Sequence, residues 1–207
     1  MFNKKNLFLR IFYFLIIFFI FIYLSCFQSS LSILWFCKIS IILLIIALIS
    51  NSDILYSCVL ISQSFVFLIF LLEVVSLFLF NVSLFNLSNI YNNFFDWIIS
   101  IFYHVVIFLI PLHLLILKRK FIQDTWFLSS FLFLFFSVVI YVIDKFNLPI
   151  DGSINCVFSC NNFGIITYAY NLIYQYIPIA NFIINWIILS FLFYITSLFF
   201  DKILNNK

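Results

Sequence analysis

Residues 7–26 read LFLRIFYFLIIFFIFIYLSC, and Arg10 is the only charged residue among them. An α-helix rises about 1.5 Å per residue, so about 20 apolar residues match the roughly 30 Å hydrocarbon core of a bilayer. Buried strands show shorter apolar runs, of about 4 to 8 residues. This stretch therefore predicts a membrane-spanning helix.

The composition of the whole chain agrees with this first run. Of its 207 residues, 67% are hydrophobic and 8% are charged, whereas a soluble domain carries about 25% charged residues. The net charge of +3 is small and dispersed, and nucleic-acid binding needs a basic face that neutralises several phosphates. We therefore expect a lipid bilayer around the chain, and no nucleic-acid partner.

Five further apolar runs follow the first. The six predicted spans cover residues 7–26, 31–50, 54–80, 94–117, 125–146 and 179–200. No fixed-period repeat is visible, and no pair of broken helices occupies matching positions in two halves, as secondary transporters show. The sequence predicts an all-α fold, a polytopic membrane helical bundle of about six transmembrane helices in a single transmembrane domain over residues 1–207.

Basic residues predict the orientation of this bundle. With six spans, eight of the ten Lys and Arg residues fall on one side of the membrane: Lys4, Lys5, Arg10, Lys118, Arg119, Lys120, Lys202 and Lys207. The loops on the other side contain neither residue type, including the long outer loop 148–178. Because cytoplasmic loops are enriched in Lys and Arg, both termini are predicted to be cytoplasmic.

The predicted location is a bacterial plasma membrane. Phe occurs 33 times and Gly twice, a bias that AT-rich coding produces. Since the same bias is common in proteins encoded by mitochondrial genomes, the mitochondrial inner membrane is the alternative.

Metal and cofactor signatures are missing from the sequence. The five cysteines form no CxxC pair and no Cys/His spacing of a zinc site, and neither glycine belongs to a phosphate-cradling loop. No metal and no cofactor are expected. A disulfide between Cys156 and Cys160 in the outer loop is left open by the sequence.

Ionisable residues within the spans are the first candidates for function. An ionised group at mid-helix costs about 2.5 to 3.5 kcal/mol on insertion scales, so each one needs a partner or a task. Lys38 and Glu73 form either an ion pair that sets helix register or part of a polar chamber toward the outer face. The other predicted members of this chamber are Asp96, Asp144 and Asn155.

A Cys/His pair is the candidate catalytic centre. Cys37 would be the nucleophile and His104 its base, since a thiol needs an adjacent base to become a reactive thiolate. The alternative is that both are packing residues. His113 follows His104 by nine residues, or about two and a half turns of a helix. The extra half turn predicts that the two histidines face opposite ways.

Three short stretches resemble a family of uncharacterised bacterial integral membrane proteins. Leu34-Trp35-Phe36-Cys37 is similar to that family's Leu-Trp-x-x-Cys-Asp, with one residue fewer. The other two are Tyr103-His104-Val105-Val106, similar to Phe-His-Val-Val, and Ser153-Ile154-Asn155-Cys156-Val157-Phe158, similar to Asn-Ile-Asn-x-Val-Phe-Gly.

The same layout resembles, more distantly, the YwaF-type proteins and the transmembrane acyltransferases related to them. That resemblance implies acyl transfer on lipids, with Cys37 as nucleophile and His104 as base. Three hypotheses thus stand: a membrane protein of unassigned activity with a polar chamber, a lipid-directed acyltransferase or hydrolase, and a structural subunit bound to membrane-protein partners. Whether the chain is an enzyme is open at this stage.

Overall fold

The computed structural model describes residues 4–27, 36–80, 94–145 and 178–205, and the regular structure in these ranges is helical throughout. The six helices described are α1 (Lys4–Phe27), α2 (Phe36–Ser50), α3 (Asp53–Phe80), α4 (Phe94–Lys118), α5 (Thr125–Lys145) and α6 (Pro178–Leu204). The predicted all-α fold is confirmed. The helix ends lie within a few residues of the predicted spans, except at the start of α2, where the residues before 36 are outside the described ranges.

Three of these helices contain a segment long and apolar enough to cross a membrane: Asn6–Leu24, Ile101–Lys118 and Trp186–Leu204. Shorter apolar segments occur in the other three helices. Between its first and last turns, a helix satisfies its backbone hydrogen bonds internally, which is the requirement for a chain within hydrocarbon. These segments are in keeping with a membrane protein.

The helix α3 lies at the centre of the packing. It contacts α4 most extensively, and it also contacts α2, α5 and α6. Fully buried side chains from three helices meet around it: Ile41 and Leu44 from α2, Tyr56, Leu60 and Ile61 from α3, and Ile107 and Leu115 from α4. The core is therefore built where α2, α3 and α4 meet.

The helices α1 and α6 are peripheral. Large apolar side chains on their outer faces are exposed, among them Phe8 and Phe19 in α1 and Phe191 and Phe199 in α6. These faces suit contact with lipid chains or with the apolar surface of another membrane protein.

Hydrogen bonds at two neighbouring serines connect α5 to α3 and α6. The Ser129 hydroxyl lies 3.2 Å from both the carbonyl oxygen and the sulfur of Cys58 on α3. On the other side of α5, the Trp186 indole N–H of α6 donates to the carbonyl oxygen of Ser130 at 3.2 Å. Small polar residues are common at such helix interfaces in membranes because they allow close approach.

A two-residue turn joins α2 to α3. Asn51 adopts a positive φ of 55°, a conformation that asparagine tolerates better than most residues. The Ser52 hydroxyl then accepts a hydrogen bond from the Leu55 N–H at 3.4 Å and caps the start of α3. This short turn makes α2 and α3 antiparallel neighbours.

Candidate functional site

A polar contact joins α2 and α3 within the core. The Gln63 Nε2 donates to the Ser40 Oγ at 2.6 Å, and the two residues are 1% and 0% exposed. Gln63 follows Asp53 by ten residues, or about 15 Å along α3, which is half the thickness of a hydrocarbon core. The Gln63 amide is thus buried well inside α3, far from the end of the helix.

The Gln63 amide has a second polar atom. Its Oε1 is buried and has no hydrogen-bond partner among the described residues. Turning the amide over would exchange Oε1 and Nε2 and leave the other atom unpaired, because one partner cannot satisfy both. An unpaired buried polar group costs about 1–3 kcal/mol. The position of Gln63 therefore favours a further polar group beside it.

His104 is the buried histidine of α4. It is 2% exposed and precedes Lys118 by fourteen residues, or about 21 Å along the helix. Its ring centroid lies 4.0 Å from that of the buried Tyr103. We refer to Ser40, Gln63 and His104 together as the polar layer, since each is buried in one of three helices that pack against one another.

His113 lies on the other side of α4. It is exposed, and its Nδ1 is 2.5 Å from the hydroxyl of Tyr13 on α1. The prediction that the two histidines face opposite ways is confirmed. His113 therefore links α1 to α4, away from the polar layer.

The remaining predicted site residues lie outside the part of the structure whose side chains are described. Cys37 and Lys38 fall within α2, Glu73 within α3, Asp96 within α4 and Asp144 within α5, with their backbones in helix. Asn155 falls between the described ranges. Their roles stay predictions.

The backbone register of α2 and α3 constrains the distance between two of these positions, 38 and 73. The contact between Ser40 and Gln63 sets residue 38 level with about residue 65 on the antiparallel α3. Residue 73 lies eight residues further along α3, or about 12 Å. An ion pair between Lys38 and Glu73 would have to bridge that offset.

A second polar region occupies one end of the bundle. Asp53 at the start of α3 accepts hydrogen bonds from the Lys118 Nζ at 2.6 Å and from the Lys120 Nζ at 3.1 Å. The Lys118 Nζ also lies 4.8 Å from the centroid of the Tyr56 ring. We define the basic-end cluster as Arg10, Asp53, Lys118 and Lys120.

Arg10 joins α1 to the end of α2. Its Nε donates to the carbonyl oxygen of Leu48 at 3.0 Å, and its Nη2 donates to the carbonyl oxygens of Leu48 and Ile49. These carbonyl groups have no partner within α2, because the last turn of a helix leaves its acceptors open. A cation at this position also complements the negative end of the helix dipole.

The Asp53 carboxyl shows the electrostatic effect of the two lysines. Partial burial alone would raise its pKa, but the hydrogen bonds and charges of Lys118 and Lys120 outweigh that effect and hold the pKa below its ordinary value. The ionised carboxylate is therefore favoured by the fold.

The end of α6 reaches the same region. Asn205 accepts from the Phe121 N–H at 3.0 Å and donates to the Phe121 carbonyl oxygen at 2.8 Å. The next backbone N–H, of Ile122, donates to the Ser57 hydroxyl of α3 at 3.1 Å. The segment between α4 and α5 thus holds α3 and α6 together at this end.

The sequence analysis did not predict the contact between Gln63 and Ser40 or the contacts of Asp53 with Lys118 and Lys120. It treated Lys118 and Lys120 as markers of membrane orientation and did not consider Asp53, although that is the one acidic residue between the second and third predicted spans. Ser40 and Gln63 are uncharged, and the criterion of ionisable residues within the spans does not select them. A glutamine within an apolar run, such as Gln63 in residues 54–80, is the sequence signal that indicates such a contact.

The described side chains include no cluster of three or more His, Cys, Asp or Glu residues that could hold a metal ion. Cys58 is a buried free thiol beside Ser129. Comparison with protein-family models, with curated proteins and with solved structures finds no match to this chain.

Proposed function

We propose that this chain is an integral membrane protein of six spans, with both termini in the cytoplasm, in which the polar layer borders a small polar chamber open toward the outer face. The observation that carries the proposal is Gln63, whose buried amide forms one hydrogen bond and has one polar atom unpaired among the described residues. Lys38, Glu73, Asp96, Asp144 and Asn155 are its further proposed members.

Depth supports the grouping of the polar layer. Ser40 lies about 12 Å from Leu48, Gln63 about 15 Å from Asp53 and His104 about 21 Å from Lys118 along their helices. These reference residues meet at the basic end, so the three side chains occupy a band about 9 Å thick. Polar groups in hydrocarbon are expensive unless they serve packing or a ligand, and an unpaired amide atom favours a ligand.

Six spans and a cytoplasmic basic end are supported by the way the helices meet. Contacts at the basic end bring together the start of α1, the end of α2, the start of α3 and the end of α4. The start of α5 and the end of α6 join them through Phe121 and Ile122. Alternating starts and ends are what a chain that crosses a membrane six times produces, and Lys and Arg are enriched on cytoplasmic sides. A bacterial plasma membrane is the proposed location.

Cysteine accessibility tests the chamber. Single cysteines at Ser40, Gln63 and His104 in a cysteine-free background are treated with a small hydrophilic thiosulfonate in reconstituted vesicles. The reagent attacks thiolates, which form only where water reaches the thiol. We expect modification at these three positions, and from the side opposite the basic end.

Leu44 and Ile107 provide matched controls, because they are apolar residues as buried as Ser40 and His104 and lie about one turn nearer the basic end in the same helices. Cysteines at these two positions should stay unmodified in the folded protein. If Ser40, Gln63 and His104 are as unreactive as the controls, the polar layer is sealed packing and the chamber is disproved.

Lipid-directed acyl transfer is the second proposed function, and the depth of His104 favours it. Residue 37 lies eleven residues before Leu48, about 16 Å along α2, close to the depth of His104 on a helix that α2 contacts. His104 would accept the thiol proton of Cys37, and the thiolate would attack a lipid ester carbonyl. A thioester forms, the ester C–O bond breaks, and His104 returns the proton to the departing alcohol oxygen.

A phospholipid with a radiolabelled acyl chain tests this reaction. The expected result is a label on the protein that neutral hydroxylamine removes and that Cys37→Ala abolishes, with a strong loss in His104→Gln. Cys58→Ala is the matched control, since Cys58 is a buried thiol outside the polar layer, and it should label normally. Equal labelling of Cys37→Ala and the wild-type protein would exclude the mechanism.

A structural subunit is the third proposed function, and the exposed faces of α1 and α6 favour it. Phe8, Phe19, Phe191 and Phe199 lie on those faces. A subunit should unfold more readily when purified alone than when isolated with membrane-protein partners, whereas an independent protein should be equally stable in both preparations. Thermal unfolding of the two preparations separates these cases.

A further inference from the structure

We infer that the basic-end cluster, together with the neighbouring Arg119, binds the phosphate group of an anionic phospholipid in the leaflet on its side of the membrane. The inference rests on membrane insertion alone and does not depend on the polar chamber. Its basis is the positive charge at this end of the bundle that the single Asp53 carboxylate does not balance.

The surplus follows from the contacts of the cluster. Asp53 carries one negative charge and receives both Lys118 and Lys120, while Arg10 binds neutral carbonyl groups. The cluster therefore carries a net charge of about +2, offset in part by the dipole at the end of α2. The surplus is the same when every charged side chain described at this end is counted. Five basic residues then stand against three acidic ones: Arg10, Lys118, Arg119, Lys120 and Lys202 against Asp53, Asp124 and Asp201.

The two basic side chains that follow Lys118 in the chain, Arg119 and Lys120, are accessible to a ligand. The Lys120 side chain is 64% exposed although its Nζ contacts Asp53, and an ammonium group has three donors. Arg119 is exposed at a positive φ of 50°, in the turn that ends α4. Lys118, at 19% side-chain exposure, is less exposed than Lys120 and adds charge that water screens less.

The depth of the cluster in the membrane indicates which anion it would bind. The apolar segment Ile101–Lys118 ends directly at this cluster, so the cluster lies at headgroup level when the segment crosses a bilayer. Lipid phosphates are the abundant anions at that level, and the planar guanidinium of Arg119 matches two phosphate oxygens. Each basic residue near an anionic surface contributes about 1 kcal/mol of attraction.

The test compares phosphatidylglycerol with phosphatidylcholine. Purified full-length protein is titrated with each lipid in detergent, and bound lipid is counted by native mass spectrometry. We expect wild-type protein to prefer phosphatidylglycerol. The double variant Arg119→Gln/Lys120→Gln should bind that lipid on the order of 30-fold more weakly, at about fivefold for each residue.

Two variants separate this site from general charge and from folding. Lys202→Gln/Lys207→Gln removes the same charge from the C-terminal end of the chain and should keep the preference. Arg119→Lys/Lys120→Arg should keep it as well, because the turn still carries one guanidinium and one ammonium group. If the control pair loses the preference as fully as Arg119→Gln/Lys120→Gln does, the attraction is nonspecific and the site is disproved.

Inorganic phosphate distinguishes a lipid from a free anion. Millimolar phosphate added to the complex should leave phosphatidylglycerol bound, because the acyl chains add attachment that the free anion lacks. Displacement of the lipid at that concentration would overturn the lipid assignment. The Gln63→Leu variant should keep the lipid preference, because Gln63 belongs to the polar layer and not to the basic-end cluster. A failure of the polar chamber can therefore be distinguished from a failure of the lipid site.

Discussion

Single side chains in this protein matter most where a polar atom lies inside an apolar helix. Gln63 shows this most clearly, because it lies about 15 Å along α3 and forms a 2.6 Å hydrogen bond to Ser40. Hydrogen bonds between membrane helices are worth less than the hydrocarbon surroundings suggest, since the chain finds other partners when the helices separate. The contact between α2 and α3 therefore specifies their register more than it stabilises them.

A double-mutant cycle measures this contact. Ser40→Ala and Gln63→Leu should show a coupling free energy of about 0.6 kcal/mol, and at most about 1.7 kcal/mol, in unfolding of the reconstituted protein. Ser137 is a buried serine whose hydroxyl has no hydrogen-bond partner among the described residues. Ser137→Ala should therefore be additive with Gln63→Leu. Coupling of equal size in the two cycles would show that Ser40 has no specific role.

Asp53 makes stability depend on pH in a direction that its pKa sets. The pKa is lower in the folded protein, so its contribution is fully present above the unfolded pKa of about 3.9 and is lost as pH falls through the folded pKa. Asp53→Asn should lower the unfolding free energy at pH 7 by about 1–2 kcal/mol, since hydrogen bonds to charged groups contribute this much when partly exposed.

The same variant should also flatten the pH dependence in the acid range, where the wild-type protein loses stability. Asp124→Asn is the matched control, because Asp124 is an exposed carboxylate that forms no ion pair with the described residues. Its unfolding free energy at pH 7 should equal that of the wild-type protein. An unchanged acid transition in Asp53→Asn would contradict the assignment.

At the scale of an element, α1 is attached by polar contacts in its first half and by apolar packing in its second. Arg10 binds the end of α2, and Tyr13 one turn later binds His113 of α4. Beyond these residues, α1 has apolar contacts with the core through Ile17, Ile20 and Leu24, while its outer face is exposed. Arg10 and Tyr13 thus add polar contacts near the basic end to the apolar packing of α1.

Arg10 variants measure the polar attachment of α1. Arg10→Gln removes charge-assisted hydrogen bonds to Leu48 and Ile49, and it should lower the unfolding free energy by about 1.5–3 kcal/mol. Arg10→Lys should fall between this variant and the wild-type protein, because an ammonium keeps the charge but not the planar fork. Lys202→Gln, an exposed change on α6, should be neutral. If Arg10→Lys is as stable as the wild-type protein, charge alone attaches α1.

At the scale of the whole molecule, one end is rich in ionic and polar contacts, and the bodies of the helices are apolar. The basic-end cluster and the segment around Phe121 and Ile122 tie α1, α2, α3, α4 and α6 together. Such an end suits the aqueous side of a membrane, where exposed charges keep their hydration. Because Lys and Arg are enriched on the cytoplasmic side of membranes, this end predicts the orientation of the whole bundle.

Labelling of intact cells tests the orientation. Single cysteines are placed at Asp124, beside the basic-end cluster, and at Asn86, in the loop after the third predicted span, in a cysteine-free background. A membrane-impermeant maleimide should label Asn86→Cys in intact cells, and Asp124→Cys only in inverted vesicles. The opposite result would invert the orientation, and labelling of both from one side would contradict the six-span topology.

The sequence by itself determined the helical class of the protein, the approximate ends of its helices and the opposite directions of His104 and His113. These properties are local: the length of an apolar run and the 3.6-residue period of a helix depend on nearby residues alone. The tertiary structure decided that Gln63 meets Ser40, that Asp53 receives two lysines and that Arg10 caps α2. Such pairs depend on the packing and relative rotation of separate helices, and no local pattern encodes which polar side chains that packing will bring within hydrogen-bond distance.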